Sequence, residues 1–307
     1  WHQPVLGAVV AEDVAEAGRP RLAMVSEMLT ESAPFFAADR LAAHKRVEGT
    51  PFVLRTNSDV GKLVSDPALA HKWEDKQKLL MRWTSDSVNF DDDVVAAHRD
   101  ELGRFFATRG ALQGRVVDVG GGWGLFREFW QGGGNSYFVV HDPGAERFMA
   151  QPPSAVRNYF AAGLAKPGWF VEGFGEDLPY RDSSFDLALI SAALGHCAYP
   201  PKAFREFHRV LAPGGRLLVL QSFDEKEGGP PQSRPPLASR LMSVLTSPRR
   251  LRRSINHRLR HRGDPHVHHF SVNGLKQLFV DCGFSEVHVT MVNASTGEMA
   301  FEGLKAR

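Results

Sequence analysis

Short apolar runs alternate with helical patterns between Arg115 and Gln221, and this alternation limits the fold more than any other feature. Arg115 to Val119, Tyr137 to His141, Trp169 to Phe174, Phe185 to Ile190 and Arg216 to Gln221 read as strands. Helical patterns open at Leu125 to Trp130 and run from Phe204 to Leu211, where Pro213-Gly214-Gly215 stops the helix. Strands that are apolar throughout, separated by helices, predict a parallel sheet covered on both faces. The alternation resumes with a helix from Val272 to Cys282, a stop at Gly283, and strands near Val287 to Val292 and Met299 to Leu304.

Upstream, a helical pattern spans Asp66 to Trp83, with Leu69, Trp73, Leu80 and Trp83 at roughly helical spacing. A second helix carries Val94, Val95, His98, Leu102, Phe105 and Phe106 on one face, with Asp91 and Asp92 as N-terminal acids. Trp73, Trp83 and Phe90 read as core packing, with a lid as the alternative. Arg21 to Arg46 holds helix formers broken at Pro34, and Phe52 to Leu54 fits a short strand. No internal repeat and no apolar run of membrane-spanning length is present. Cys197 and Cys282 have no metal-ligand spacing, and a disulfide scaffold is not expected at 307 residues; the default is a reducing, cytoplasmic setting.

The net charge of +2 conceals an uneven distribution. Nine arginines, with no lysine and no acid, lie between Arg234 and Arg262. Taking those nine from 37 basic residues leaves 28 against 35 acids, a balance of −7. Asp224 to Pro236 reads as a Pro/Gly-rich linker. After it, Leu237, Leu241 and Leu245, then Leu251, Ile255 and Leu259, fit two short amphipathic helices interrupted at Pro248. Arg249 to Arg262 then forms a basic cap facing an anionic substrate or a membrane surface, or a solvated face on the acidic body. No aromatic platform accompanies it, which disfavours nucleic acid.

The stretch "VVDVGGGWG", residues 116–124, places Asp118, Gly120, Gly122 and Gly124 after the first strand of the alternation. A dinucleotide fingerprint needs G-x-G-x-x-G, and its last position here is Leu125. The shifted third glycine favours close approach of a ligand without a pyrophosphate. In "VVHDPG", Asp142 falls at the carboxyl end of the next strand, where a carboxylate accepts hydrogen bonds from ribose hydroxyls.

Five motifs in series, "VVDVGGGWG", "VVHDPG", "GEDLPYRDSSFDLALIS", "FREFHRVLAPGGRLLVL" and "HHFSVNGLKQLFVDCGF", resemble the class I S-adenosylmethionine-dependent methyltransferases that modify small molecules, quinones and sugars. The resemblance covers roughly residues 91–307 and implies an α/β, Rossmann-like, seven-stranded sheet whose last strand is reversed. The expected organisation is a partly helical region over 1–90 and a methyltransferase domain over 91–307, with a basic helical cap inserted at about 224–270. The resemblance implies that Gly120, Gly122 and Gly124 lie beside the methionine part of S-adenosylmethionine and that Asp142 binds its ribose. Asp118, near the cofactor's amino group, and Ser191, at the end of the fourth strand, complete the expected contacts. The family places an adenine-binding acid near the glycine of the third-strand loop. In "EGFGEDLPY" that position is Phe174, which leaves stacking to Phe174 and a polar contact to Glu176 or Asp177.

His196, after the fourth strand, is the candidate general base, with packing or helix capping as the alternative. Alternation puts His266 and His268 of "DPHVHHFS" on one side of an extended chain. Zinc would need further ligands, so these histidines read as pocket lining or a polar entry to the next helix, and no metal is assigned. The expected activity is methyl transfer to a small-molecule acceptor, with oxygen of a sugar, polyketide-like or quinone-like compound favoured. The alternatives are a cofactor-binding subunit without turnover and, less favoured, an RNA methyltransferase. The sequence leaves the oligomeric state open.

Overall fold

A computed structural model describes residues 35–37, 41–45, 53–56, 64–85, 92–150, 152–230 and 264–307. Its centre is a sheet of strands β1 (Leu41–Lys45), β2 (Val53–Thr56), β3 (Val116–Val119), β4 (Phe138–His141), β5 (Trp169–Glu172), β6 (Phe185–Ser191), β7 (Leu211–Ser222), β8 (Phe284–Asn293) and β9 (Glu298–Lys305). Their spatial order is β1-β2-β5-β4-β3-β6-β7-β9-β8. From β2 to β7 every neighbour is parallel. β9 runs antiparallel between β7 and β8. The seven strands expected from sequence, with the last one reversed, are therefore present, and β1 and β2 extend them at one edge.

The central strands are apolar on both sides because helices cover both faces. On one face Val117, Val119, Ala188, Ile190 and Val219 pack under helix α1 (Pro200–Val210) and helix α2 (Val272–Asp281). α1 supplies Ala203, Phe204, Phe207 and Val210, all fully buried at helical spacing. Prolines open it at its first turn, where no backbone donor is lost. The Ser271 hydroxyl accepts from Gly274 N at 3.0 Å to cap α2, and Gly283, at φ +89°, ends it. On the other face Val116, Val140, Leu187, Leu189 and Leu220 meet Val95, Leu102, Phe105 and Phe106 of the helix Asp92–Arg109, called αN2 below.

Several boundaries differ from the sequence reading. Leu41–Lys45 lies in the stretch of helix formers yet pairs with β2 as an edge strand, because tertiary pairing overrides weak local propensity. Leu125–Phe129 is a 3-10 helix rather than the start of a longer helix. β7 begins directly after α1, and Pro213-Gly214-Gly215 lies inside it. The stretch read as a linker starts with a 3-10 turn, Glu225–Glu227, held by a capping box between Asp224 and Glu227. The described parts of residues 35–85 join this same unit. Phe35 stacks on Tyr137 at 4.2 Å, β2 pairs with β5, and the helix Pro67–Ser85, αN1, lies over the carboxyl edge of the sheet. Phe90 and the basic stretch from Arg234 to Arg262, with its two expected helices, fall outside the described residues, as does the side chain of Trp83.

Candidate active site

The carboxyl ends of β3, β4 and β6 open into one cavity of about 190 Å3. In an open parallel sheet that edge, where the strand order reverses, is where ligands bind. The turn after β3 crosses it closely. Gly120 has φ +69°, and a Cβ there would stand 2.3 Å from the Ala193 Cβ. Only glycine permits both the backbone angle and this approach. Gly120 N donates to the His141 carbonyl at 2.7 Å, which ties the turn to the end of β4.

Asp142 follows β4 and lines the cavity. Its Oδ2 accepts from Gly122 N at 3.0 Å and its Oδ1 from Gly144 N at 2.7 Å. Two backbone donors thus orient the carboxylate, and each oxygen keeps lone pairs for a ligand hydroxyl. Burial raises Asp142 to about 6, against the two amide donors. Asp118 sits beneath the turn, fully buried, and among the described residues neither carboxylate oxygen has a hydrogen-bond partner. Burial first and the Asp142 charge second lift it to about 8, with Arg127 acting weakly in the opposite direction. Asp118, expected from sequence beside the cofactor's amino group, is not among the residues that line the cavity.

The structure gathers Gly120, Gly122, Asp142, Phe174, Glu176, Ser191 and His196 around this cavity. Gly124, at φ +68°, instead packs against Val140 and Arg127 and keeps the turn close to β4. Arg127 is buried and donates to the carbonyls of Trp123, Gly124 and Lys166, so it braces the turn from behind. Glu176 borders the cavity, but its Oε1 accepts from Tyr199 N at 3.0 Å, at the start of α1. The "EDLPY" loop is held in the same way. Arg209 on α1 donates to the Leu178 and Tyr180 carbonyls and to Glu206 and Asp182, and Glu206 accepts from Leu178 N at 2.9 Å. These bonds tie the loop to α1.

The cavity's outer wall includes Trp73, one of the residues for which the sequence offered a lid as the alternative to core packing. αN1 contributes Trp73, Gln77 and Leu80. Trp73 Nε1 and Gln77 Nε2 both donate to the His196 carbonyl, at 2.8 and 3.0 Å. Trp73 also meets Phe174 edge-on at 5.3 Å, so two aromatic rings stand where the adenine acid was expected. These contacts span more than a hundred residues, and no local pattern encodes them. His196 is largely buried. Its Nδ1 lies 3.3 Å from the Pro265 carbonyl, which fixes the proton there, and its ring stacks on His266 at 4.6 Å. Burial first, and His266 second, pull His196 down to about 4. His266 and His269 both grip Asp264, while His268 Nε2 faces the Ala198 carbonyl at 3.1 Å.

The strand order, the glycine turn and the acid at the tip of the adjacent strand have the α/β, Rossmann-like arrangement expected from the sequence. Residues 117–219 match the family described as "Methyltransferase domain". The chain is 35% identical over 113 residues to the ubiquinone/menaquinone biosynthesis C-methyltransferase UbiE of Brucella anthropi, covering 36% of this chain and 41% of that protein. It is 36% identical over 88 residues to the mitochondrial 2-methoxy-6-polyprenyl-1,4-benzoquinol methylase of Homo sapiens, covering 29% of this chain and 26% of that one. The chain thus matches less than half the length of these relatives. Among solved structures, the YcgJ protein of Bacillus subtilis superposes with a TM-score of 0.41 at 19% identity, over 68% of this chain and 99% of that one.

Proposed function

We propose that this protein transfers the methyl group of S-adenosylmethionine to a small quinol-like acceptor. The observation that carries the reading is the paired arrangement of the Gly120 turn and the Asp142 carboxylate, which two backbone amides aim into the cavity. Asp142 accepts the ribose hydroxyls. Gly120 and Gly122 let the backbone approach the amino-acid part, and Asp118 provides the charge that its ammonium group needs. Phe174 and Trp73 offer the adenine an aromatic surface, and Ser191 lies on the cavity floor. The bound cofactor supplies an already activated methyl group, so the protein's task is alignment and exclusion of water.

His196 bears on the atom that is methylated. A neutral imidazole whose conjugate acid lies near pH 4 is a weak base for an alcohol. It serves better as a hydrogen-bond partner that orients an acceptor already electron-rich. The relatives are named as C-methyltransferases and a benzoquinol methylase, which supports ring carbon over the oxygen expected from sequence. The two free cysteines suit the cytoplasmic setting included in this proposal. Calorimetry with S-adenosylmethionine tests the reading. We expect one site per chain, weakened at least tenfold by Asp142→Asn, and S-adenosylhomocysteine release in the presence of reduced quinones. Absence of binding by the folded wild type refutes it.

A further inference from the structure

We propose that His98, Glu101 and Glu298 form a binding site for one divalent transition-metal ion of the zinc type, separate from the methyl-transfer cavity. His98 and Glu101 are three residues apart on αN2 and so project from the same side of the helix. Glu298 opens β9 opposite Ser222, two residues before Ala300, and Ala300 packs in the same cluster as Leu102 of αN2. Alternation puts Glu298 and Ala300 on one face, the face that αN2 covers. One ligand atom from each of the three residues lies within 4.8 Å of the others. Rotamer adjustment of the half-buried Glu101 closes that spread to the roughly 3.4 Å separating tetrahedral ligands.

The second observation is Glu298 itself. It is only 8% exposed, and no hydrogen bond or ion pair reaches its carboxylate among the described residues. A buried, unpartnered carboxylate beside a second carboxylate is costly without a cation or a shared proton. A neutral imidazole and two carboxylates carry a charge of −2 when ionised, which a divalent ion balances. This donor set suits zinc and its neighbours, and three protein ligands leave a fourth position for water. None of the three residues lines the methyl-transfer cavity. The ion would pin αN2 to the start of β9. Cysteine and histidine spacing gave no sign of this site, because one ligand lies 200 residues from another in the sequence.

The full chain, stripped with a chelator, is titrated with zinc chloride by calorimetry, with native mass spectrometry for stoichiometry. We expect one zinc per chain. His98→Ala and Glu298→Gln should each weaken binding at least tenfold, and His266→Ala should leave it unchanged. Zinc should also raise the melting temperature of the wild type but not of Glu298→Gln. Should either buried variant fail to fold, Glu101→Gln, at a half-exposed position, carries the same expectation. No zinc uptake by the folded wild type overturns the proposal. So does uptake that survives these substitutions, or uptake that His266→Ala abolishes, which would place the ion at the Asp264 cluster.

Discussion

Replacing Asp118 with asparagine isolates the energetic consequence of a buried acid without a partner. The side chain keeps its shape but cannot ionise. In the wild type the carboxyl sits at about 8 when folded and near 3.8 when unfolded. Between those values the folded state holds a proton that the unfolded state has released. Stability therefore falls as pH rises from about 4 to 8, and the penalty is constant above. At about 1.4 kcal/mol per pH unit the displacement sets a ceiling of roughly 6 kcal/mol. Water entry and relaxation of the glycine turn bring the expected penalty to about 2–3 kcal/mol. For a chain of this size that corresponds to roughly 5–10 °C in melting temperature. The assay is thermal unfolding of wild type and Asp118→Asn, without cofactor, from pH 4 to 9. The variant's advantage should be absent near pH 4, grow through neutrality and level off above pH 8. With saturating S-adenosylmethionine the gap should narrow, because the ammonium group pairs with the ionised acid only in the wild type. Two melting curves that stay parallel across the pH range would refute the reasoning.

Gly120→Ala combines a left-handed backbone angle with a Cβ placed 2.3 Å from the Ala193 Cβ. It should cost about 3–4 kcal/mol and abolish cofactor binding, whereas Gly133→Ala, with nothing within 4 Å, should leave denaturant midpoints nearly unchanged. His196→Asn should lower kcat less than tenfold, and the wild-type kcat/KM profile should lack an inflection near 6.5 from this group, since it is neutral above about pH 5; a thousandfold loss would restore it as the base.

The central strands and the cofactor edge were legible in the sequence because both follow short-range rules. Valines buried on both sides mark β3 and β4, and a glycine turn followed by an acid at the next strand end marks the crevice. Legibility failed where a residue's partner is remote. Glu176 lines the cavity as its motif suggested, but that one of its carboxylate oxygens also holds the start of α1 was not readable. Leu41–Lys45 has helix-forming composition and becomes a strand because β2 offers an edge. Trp73 was readable as a core residue. That its indole and the neighbouring Gln77 converge on one carbonyl more than a hundred residues away was not. The same holds for Glu298, whose surroundings come from a distant helix.

The cavity's floor and its outer wall have separate genetic addresses. Loops after β3, β4 and β6 form the floor, while αN1, encoded well upstream, leans across it and is latched to the His196 carbonyl. Recombination or insertion around residues 67–85 can therefore remodel the outer wall, Trp73 included, while leaving the Gly120 turn and Asp142 in place. A fragment trimmed to the stretch that carries the glycine turn would keep the floor and lose the wall that closes it.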